Sequence, residues 1–323
     1  MYRRTLLRAV ALLFLPTLLA ADRPAAPWPP PAGPLRVIID TDTGNEVDDQ
    51  YALALALGAP DRLRIEGLIA AHFGDAGGAK GIDKSYAELQ RVVEKAGLPG
   101  RFPVQRGADP FQYRDRPPSA EGVDFIIERA RRATPAEPLW LVLLGPATDA
   151  AAALLKAPDI ADRLVVFWHG RTQWPVRCWN FNAYNDARAA RLLFELPCRF
   201  ILFDTGTYLR LHPDESARRL APLGPLGAYL HEIRMRTPQH ASPAKGFYDL
   251  GDIAALVDPS CVRWERVNAP AVEPDLSYDF SRNYGEIVRI YHIESDPAFR
   301  LLEQALARLG AGGRRSVPAD HGH

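Results

Sequence analysis

Short apolar runs alternate with longer stretches of helical periodicity along most of the chain. Val37-Ile38-Ile39 is a β-branched run of the kind that fills a buried strand. From Asp48 the apolar positions Tyr51, Leu53, Leu55 and Leu57 predict a helix, and Gly58 followed by Pro60 ends it. The alternation recurs. Strands are predicted over 63–71, 103–107, 139–144, 164–168 and 199–203, with helices over 80–97, 122–133, 150–156 and 186–195 between them. Residues 214–236 read as mostly helical, 253–257 as an apolar helix, 262–267 and 286–293 as strands, and 297–309 as a closing helix. Strands alternating with helices predict one α/β domain over residues 35–310, with a mainly parallel central sheet flanked by helices.

The flanks read differently. Arg3, Arg4 and Arg8 precede the apolar stretch from Ala9 to Leu19, and Ala20-Ala21 supplies small residues for cleavage, so residues 1–21 are expected to be a secretory signal peptide. Pro16 interrupts this stretch, which is shorter than the roughly 20 residues of a membrane span. The mature protein is therefore expected to be exported, periplasmic or extracellular, and off the membrane. Residues 22–34 read as a Pro-rich extended linker and 311–323 as a disordered tail.

Composition narrows the function classes. Of the 323 residues 47 % are hydrophobic, ample for a core, and 39 basic residues balance 39 acidic ones, so nothing points to nucleic acid or an anionic membrane. The three cysteines, Cys178, Cys198 and Cys261, lack metal-ligand spacing; one bridge and one free thiol is an open alternative.

The candidate chemistry sits just after the first strand. Asp40, Asp42, Asp48 and Asp49 fall within ten residues, with Gly44 and Asn45 turning the chain between the pairs. Asp is a common turn and N-cap residue, but two carboxylates leaving a strand and two more opening a helix repel one another. A hard divalent cation held by oxygen ligands resolves that repulsion, and the helix N-terminus favours negative charge. In open α/β sheets ligands bind at this end of the strands.

The stretch DTDTGNEVDD resembles the N-terminal signature of the nucleoside hydrolases, the calcium-dependent N-ribohydrolases. Later stretches resemble that family in the same order: Pro103–Gly107, Leu141–Asp149, Asn180-Phe181-Asn182 with Asp186, and Tyr248-Asp249 ahead of an apolar helix. The resemblance spans about residues 35–310 and implies a Rossmann-like nucleoside hydrolase fold. It implies Ca2+ held by Asp42, Asp49, Asp249 and the Leu144 carbonyl, with Asp42 the general base on a water held by the metal. It implies ribose hydroxyls bound by Asp48 and Asn182, contacts at the 5′ end from Asn180 and Asp75, and Asp40, grouped with these substrate-binding residues, orienting the cluster from behind the ligands. The partner it implies is a small-molecule nucleoside or riboside, and the family commonly forms homo-oligomers.

This chain departs from the family at particular positions. Two extra residues lengthen the turn to GNEVDD, which could bring Asn45 or Glu46 into the sugar pocket. Asp75 stands where the family often has Asn, and Asn180 where it often has Glu. Tyr248 replaces the histidine that precedes the late metal-binding Asp, so the acid for the leaving base is expected from Tyr248 or a substitute histidine, His72, His169 or His240; a lone histidine is more often structural or solvent-exposed, and His240, in a lid-like loop, is the preferred candidate. Trp168, Trp174, Trp179 and Phe247 are the aromatic candidates for stacking on a base. Two alternatives from other classes were weighed against hydrolysis: a calcium-dependent ribose- or nucleoside-binding protein, and a magnesium phosphotransferase with Asp40 as nucleophile. The second lacks a convincing later lysine, because Lys245 stands alone in its loop.

Overall fold

The computed structural model describes residues 23–77, 80–205 and 208–315. β1 (Leu35–Thr41) leads into α1 (Asp48–Leu57), and β2 (Leu63–Ala70) into α2 (Gly74–Gly77) and α3 (Gly81–Lys95). β3 (Val104–Arg106) precedes α4 (Glu121–Arg131), and β4 (Leu139–Leu143) precedes α5 (Thr148–Lys156). β5 (Leu164–His169) is followed by α6 (Phe181–Asn185) and α7 (Ala187–Glu195), then β6 (Arg199–Phe203) by α8 (Pro213–Glu215), α9 (Pro225–Arg234) and α10 (Leu250–Val257). β7 (Val262–Val272), β8 (Tyr278–Ile293) and α11 (Ser295–Arg315) close the order.

The strands form one eight-stranded sheet in the order β3-β2-β1-β4-β5-β6-β8-β7. Every neighbouring pair is parallel except β7 with β8. Successive strands run outward from β1 to β3 and then in the opposite direction from β4, so the crevice between β1 and β4 is the topological switch point. There Ile39 pairs with Val142 and Asp40 with Leu143. This is the mainly parallel α/β domain that the alternation predicts.

Period-two alternation divides the core between the sheet faces. Val37 and Ile39 pack with α1, α10 and α11 on one side, while Ile38 packs with α4, α5 and α7 on the other. α1 is buried at every position because it lies beneath the sheet and touches α10 and α11 as well. Its apolar residues therefore run all round rather than in a stripe.

The edges differ from the sequence expectation. β7 and β8 extend well past 262–267 and 286–293 as one antiparallel hairpin, held on its outer face by pairs such as Arg266–Glu286 that carry no apolar signal. The segment expected as a linker is docked from residue 23 onward. Arg23 donates to the carbonyls of Phe194, Cys198 and Tyr284, and Trp28 packs on Phe167 at 5.8 Å between centroids. A tryptophan and a guanidinium that finds three carbonyls outweigh the extended preference of the prolines around them. α11 continues to Arg315, so residues 311–315 are helical rather than disordered. The expected signal segment (1–21) and residues 316–323 lie outside the described residues. All three cysteines are free and buried, which closes the alternative of a bridge.

Candidate functional site

β1 ends in a cavity of about 250 Å3 whose floor is the switch point. β1 and α1 bring Asp42, Asp48 and Asp49 to it, the end of β4 brings Leu144, and Asp249 arrives from the residue before α10. All four carboxylates are buried, each less than a tenth exposed. Asp48 and Asp49 open α1 behind Val47, which supplies no side-chain cap, so their charges meet the positive end of the helix.

The donors around these carboxylates are unevenly shared. The Thr41 hydroxyl donates to Asp49. Asp48 accepts from the Tyr248 backbone N–H and from the Lys245 ammonium, each at 3.0 Å. Lys245 also pairs with Glu46, and is itself buried. Asp42 meets only the Asn45 amide, at 3.5 Å. Asp249 has His169 Nδ1 at 3.6 Å, and that nitrogen is committed to Asp252 at 2.6 Å.

The electrostatic result is a cluster with too little positive charge. Burial first, and then the charge of Asp49, pushes Asp42 well above the usual carboxylate range. Burial and then Asp49, Asp48, Asp252 and Asp42 do the same to Asp249. Asp49 is pushed up to about 7 by burial and by Asp48, with the Thr41 bond opposing. Ligand oxygens of Asp48, Asp49 and Asp249 lie within 4.8 Å of one another. A set of buried carboxylates and one carbonyl, all hard oxygen donors, fits a divalent cation such as calcium.

Most sequence-predicted residues meet here. Asn182 lines the cavity and donates to the carbonyls of Leu144 at 2.7 Å and His169 at 3.0 Å, leaving its own oxygen for a ligand. Asn45 and Glu46 join it through the longer turn, and Tyr248 stands on the wall. Asn180 lines it too, but its oxygen caps α6 at Ala183 and its amide holds the Gly170 carbonyl, so its polar atoms already have partners. Asp75 belongs to α2, beyond β2.

Other expectations need correction. Asp40 does not bind substrate: it is fully buried behind the cavity, beside Asp149, a place from which it can orient the cluster but not touch a ligand. His240 does not line this cavity. It lines a neighbouring one behind Glu46, with Gln50 and Glu88, because the loop after α9 folds to the far side of the Glu46 turn. Trp168 and Phe247 are core residues, Trp174 packs on Tyr278 and Phe280, and Trp179 packs tilted against Tyr184 in the open; Phe181 and Tyr248 are the aromatic residues lining the cavity. His72 is structural, bonded to Thr148 and to the Gly74 N–H.

Sequence reasoning missed Lys245, Arg171 and Asp252. Lys245 looked alone because its partners Glu46 and Asp48 lie 199 and 197 residues away. Asp252 carried a local signal that passed unread: it sits three residues after Asp249, one helical turn on, which places both carboxylates beside His169.

A crevice at the switch point of a parallel sheet, walled by carboxylates and amides, is the ligand-binding place of an α/β protein. The family comparison makes that specific. The model of the inosine-uridine preferring nucleoside hydrolases matches residues 37–288, and the chain belongs to that family. It is thus an N-glycosyl hydrolase. A non-specific ribonucleoside hydrolase of Salmonella enteritidis is 28% identical over 250 residues, 70% of this chain and 79% of that protein. An uncharacterized protein of Schizosaccharomyces pombe is 26% identical over 264 residues, 71% of this chain and 79% of its own length. The solved purine-preferring ribonucleoside hydrolase of Gardnerella vaginalis has the same fold, with a TM-score of 0.68 at 20% identity, covering 85% of this chain and 99% of that one.

Proposed function

We propose that the protein is an exported, calcium-dependent hydrolase that splits the N-glycosidic bond of a ribonucleoside into ribose and free base. Asp42, Asp49, Asp249 and the Leu144 carbonyl would hold the ion. When bound, calcium lowers the pKa of water and gathers hydroxyl oxygens in its large shell.

The chain's own residues divide the remaining work. Asp42, whose one side-chain donor among the described residues is the Asn45 amide at 3.5 Å, takes the proton of the attacking water. Asp48, fixed by Lys245 and the Tyr248 N–H, and Asn182, fixed by two carbonyls, receive the ribose hydroxyls in set orientations. The ring of carboxylates stabilises positive charge as it develops on the sugar. His169, its Nδ1 held by Asp252 at 2.6 Å, stands 3.6 Å from Asp249 and limits where that carboxylate can turn. The Tyr248 hydroxyl on the wall is the group we assign to hydrogen-bond the departing base.

One observation carries the reading: Asp42, Asp49 and Asp249 converge, buried, in one cavity, and the buried lysine nearby, Lys245, is already committed to Glu46 and Asp48. Its test is ribose release from a panel of ribonucleosides, with calcium and with chelator. Release that stops on chelation and returns with calcium is expected; release indifferent to chelation would remove the metal from the reaction.

A further inference from the structure

Arg171 is the one arginine on the wall of the cavity. Gly170 and Arg171 both donate their backbone N–H to the Phe203 carbonyl at 3.0 Å, which pins the backbone just beyond β5. The guanidinium carbon lies 4.2 Å from the centre of the Tyr248 ring, and the side chain is half-buried. The cavity holds five carboxylates, yet among the described residues none comes within ion-pair distance of this guanidinium, and it makes no side-chain hydrogen bond. Lys245, the other cation facing Tyr248, bonds Glu46 and Asp48 instead.

A guanidinium beside so many carboxylates would gain by pairing with one of them. Held over a tyrosine ring on the cavity wall, it keeps a planar fork ready for an anion. A neutral base edge with two acceptors can also meet that fork, but only an anion matches its charge as well as its shape. We propose that Arg171 selects a riboside carrying an anionic substituent, a phosphate or a carboxylate, at the same site that hydrolyses it. This rests on the hydrolase reading above, and it narrows the substrate class.

The test compares kcat/KM for a ribonucleoside, its 5′-monophosphate and orotidine, whose carboxylate is on the base. It uses the wild-type protein, Arg171→Gln and Arg171→Lys, and adds calorimetric binding of ribose and ribose 5-phosphate. Preference for one anionic substrate by about tenfold or more is expected, falling toward unity in Arg171→Gln and partly kept in Arg171→Lys. The preferred arm, phosphate or base carboxylate, tells which end of the riboside faces Arg171. Hydrolysis of the neutral nucleoside with no anionic preference, or a preference that Arg171→Gln leaves intact, would overturn the inference while the hydrolase stands. No hydrolysis of any substrate, with ribose 5-phosphate bound more tightly than ribose only while Arg171 is present, would support the anion site and overturn the hydrolase.

Discussion

Two groups of buried carboxylates meet near the ends of β1 and β4, and they are neutralised in different ways. Asp42, Asp49 and Asp249 face the cavity with few donors and a lysine committed elsewhere. Asp149 and Asp186 lie behind it, each met by donors of the protein itself. Asp149 accepts the Ala108 N–H at 2.8 Å, and Asp186 accepts the Phe111 N–H and the Thr148 hydroxyl at 2.9 and 2.8 Å. Asp40 is sealed beside them, pushed well above the carboxylate range by burial, Asp149 and Asp42, and neither of its oxygens meets a donor among the described residues. Gly107 is part of this arrangement, since a Cβ there would stand 2.3 Å from an Asp149 oxygen. Burial alone does not mark a functional carboxylate. What separates the groups is whether the protein itself supplies the compensating partners.

The sharpest break comes on the cavity side. Asp49→Ala is expected to abolish calcium binding in calorimetry on chelator-stripped protein, and ribose release with it; unchanged affinity would exclude Asp49 as a ligand. Asp42→Asn keeps the shape and removes the base, so hydrolysis should fall about a thousandfold while the thermal midpoint stays within a few degrees. An active Asp42→Asn variant would move the base elsewhere.

Behind the cavity the balance should reverse. Asp149→Ala strands the Ala108 N–H and leaves a void in a sealed region. A loss of about 2–4 kcal/mol in urea unfolding is expected, with calcium still bound by the folded fraction. Wild-type stability would show that the Asp149–Ala108 bond contributes nothing to the fold.

How much of this could be read from the chain follows the same division. DTDTGNEVDD was legible because it joins a strand end to a helix start that the apolar pattern locates, whereas Leu144, Asn182 and Asp249 were legible only through the family resemblance. Asp40 was legible as an orienting residue but also stood among the substrate-binding candidates, since it and Asp42 are two residues apart on one strand end and only packing shows which one is sealed. Lys245 and Arg171 were not legible: their meaning lies in neighbours contributed by distant loops, and neither loop has a period. His240 misled because a histidine in a Pro/Gly loop resembles a lid until the path of that loop after α9 is known.

The set behind the cavity also titrates, through His72. Its Nδ1 accepts the Gly74 N–H at 3.1 Å, so its proton is on Nε2, 2.7 Å from the Thr148 hydroxyl, which in turn donates to Asp186. A second ring proton would point at the Gly74 N–H, and burial already lowers the pKa to about 4. The unfolded chain takes up this proton near the ordinary value of about 6.5 and the folded one does not. Stability is therefore unaffected at higher pH and is lost as pH falls from about 6.5 toward about 4, by up to about 2–3 kcal/mol. Buried carboxylates with raised pKa values contribute in the opposite sense over part of this range, so the quantity to measure is the difference in urea-unfolding free energy between wild type and His72→Gln as a function of pH. That difference should be flat above pH 7 and should change in favour of His72→Gln as the acid side is approached. A flat difference throughout would mean that His72 is protonated in the folded protein, and the Gly74–His72–Thr148–Asp186 chain of donors would have to be redrawn.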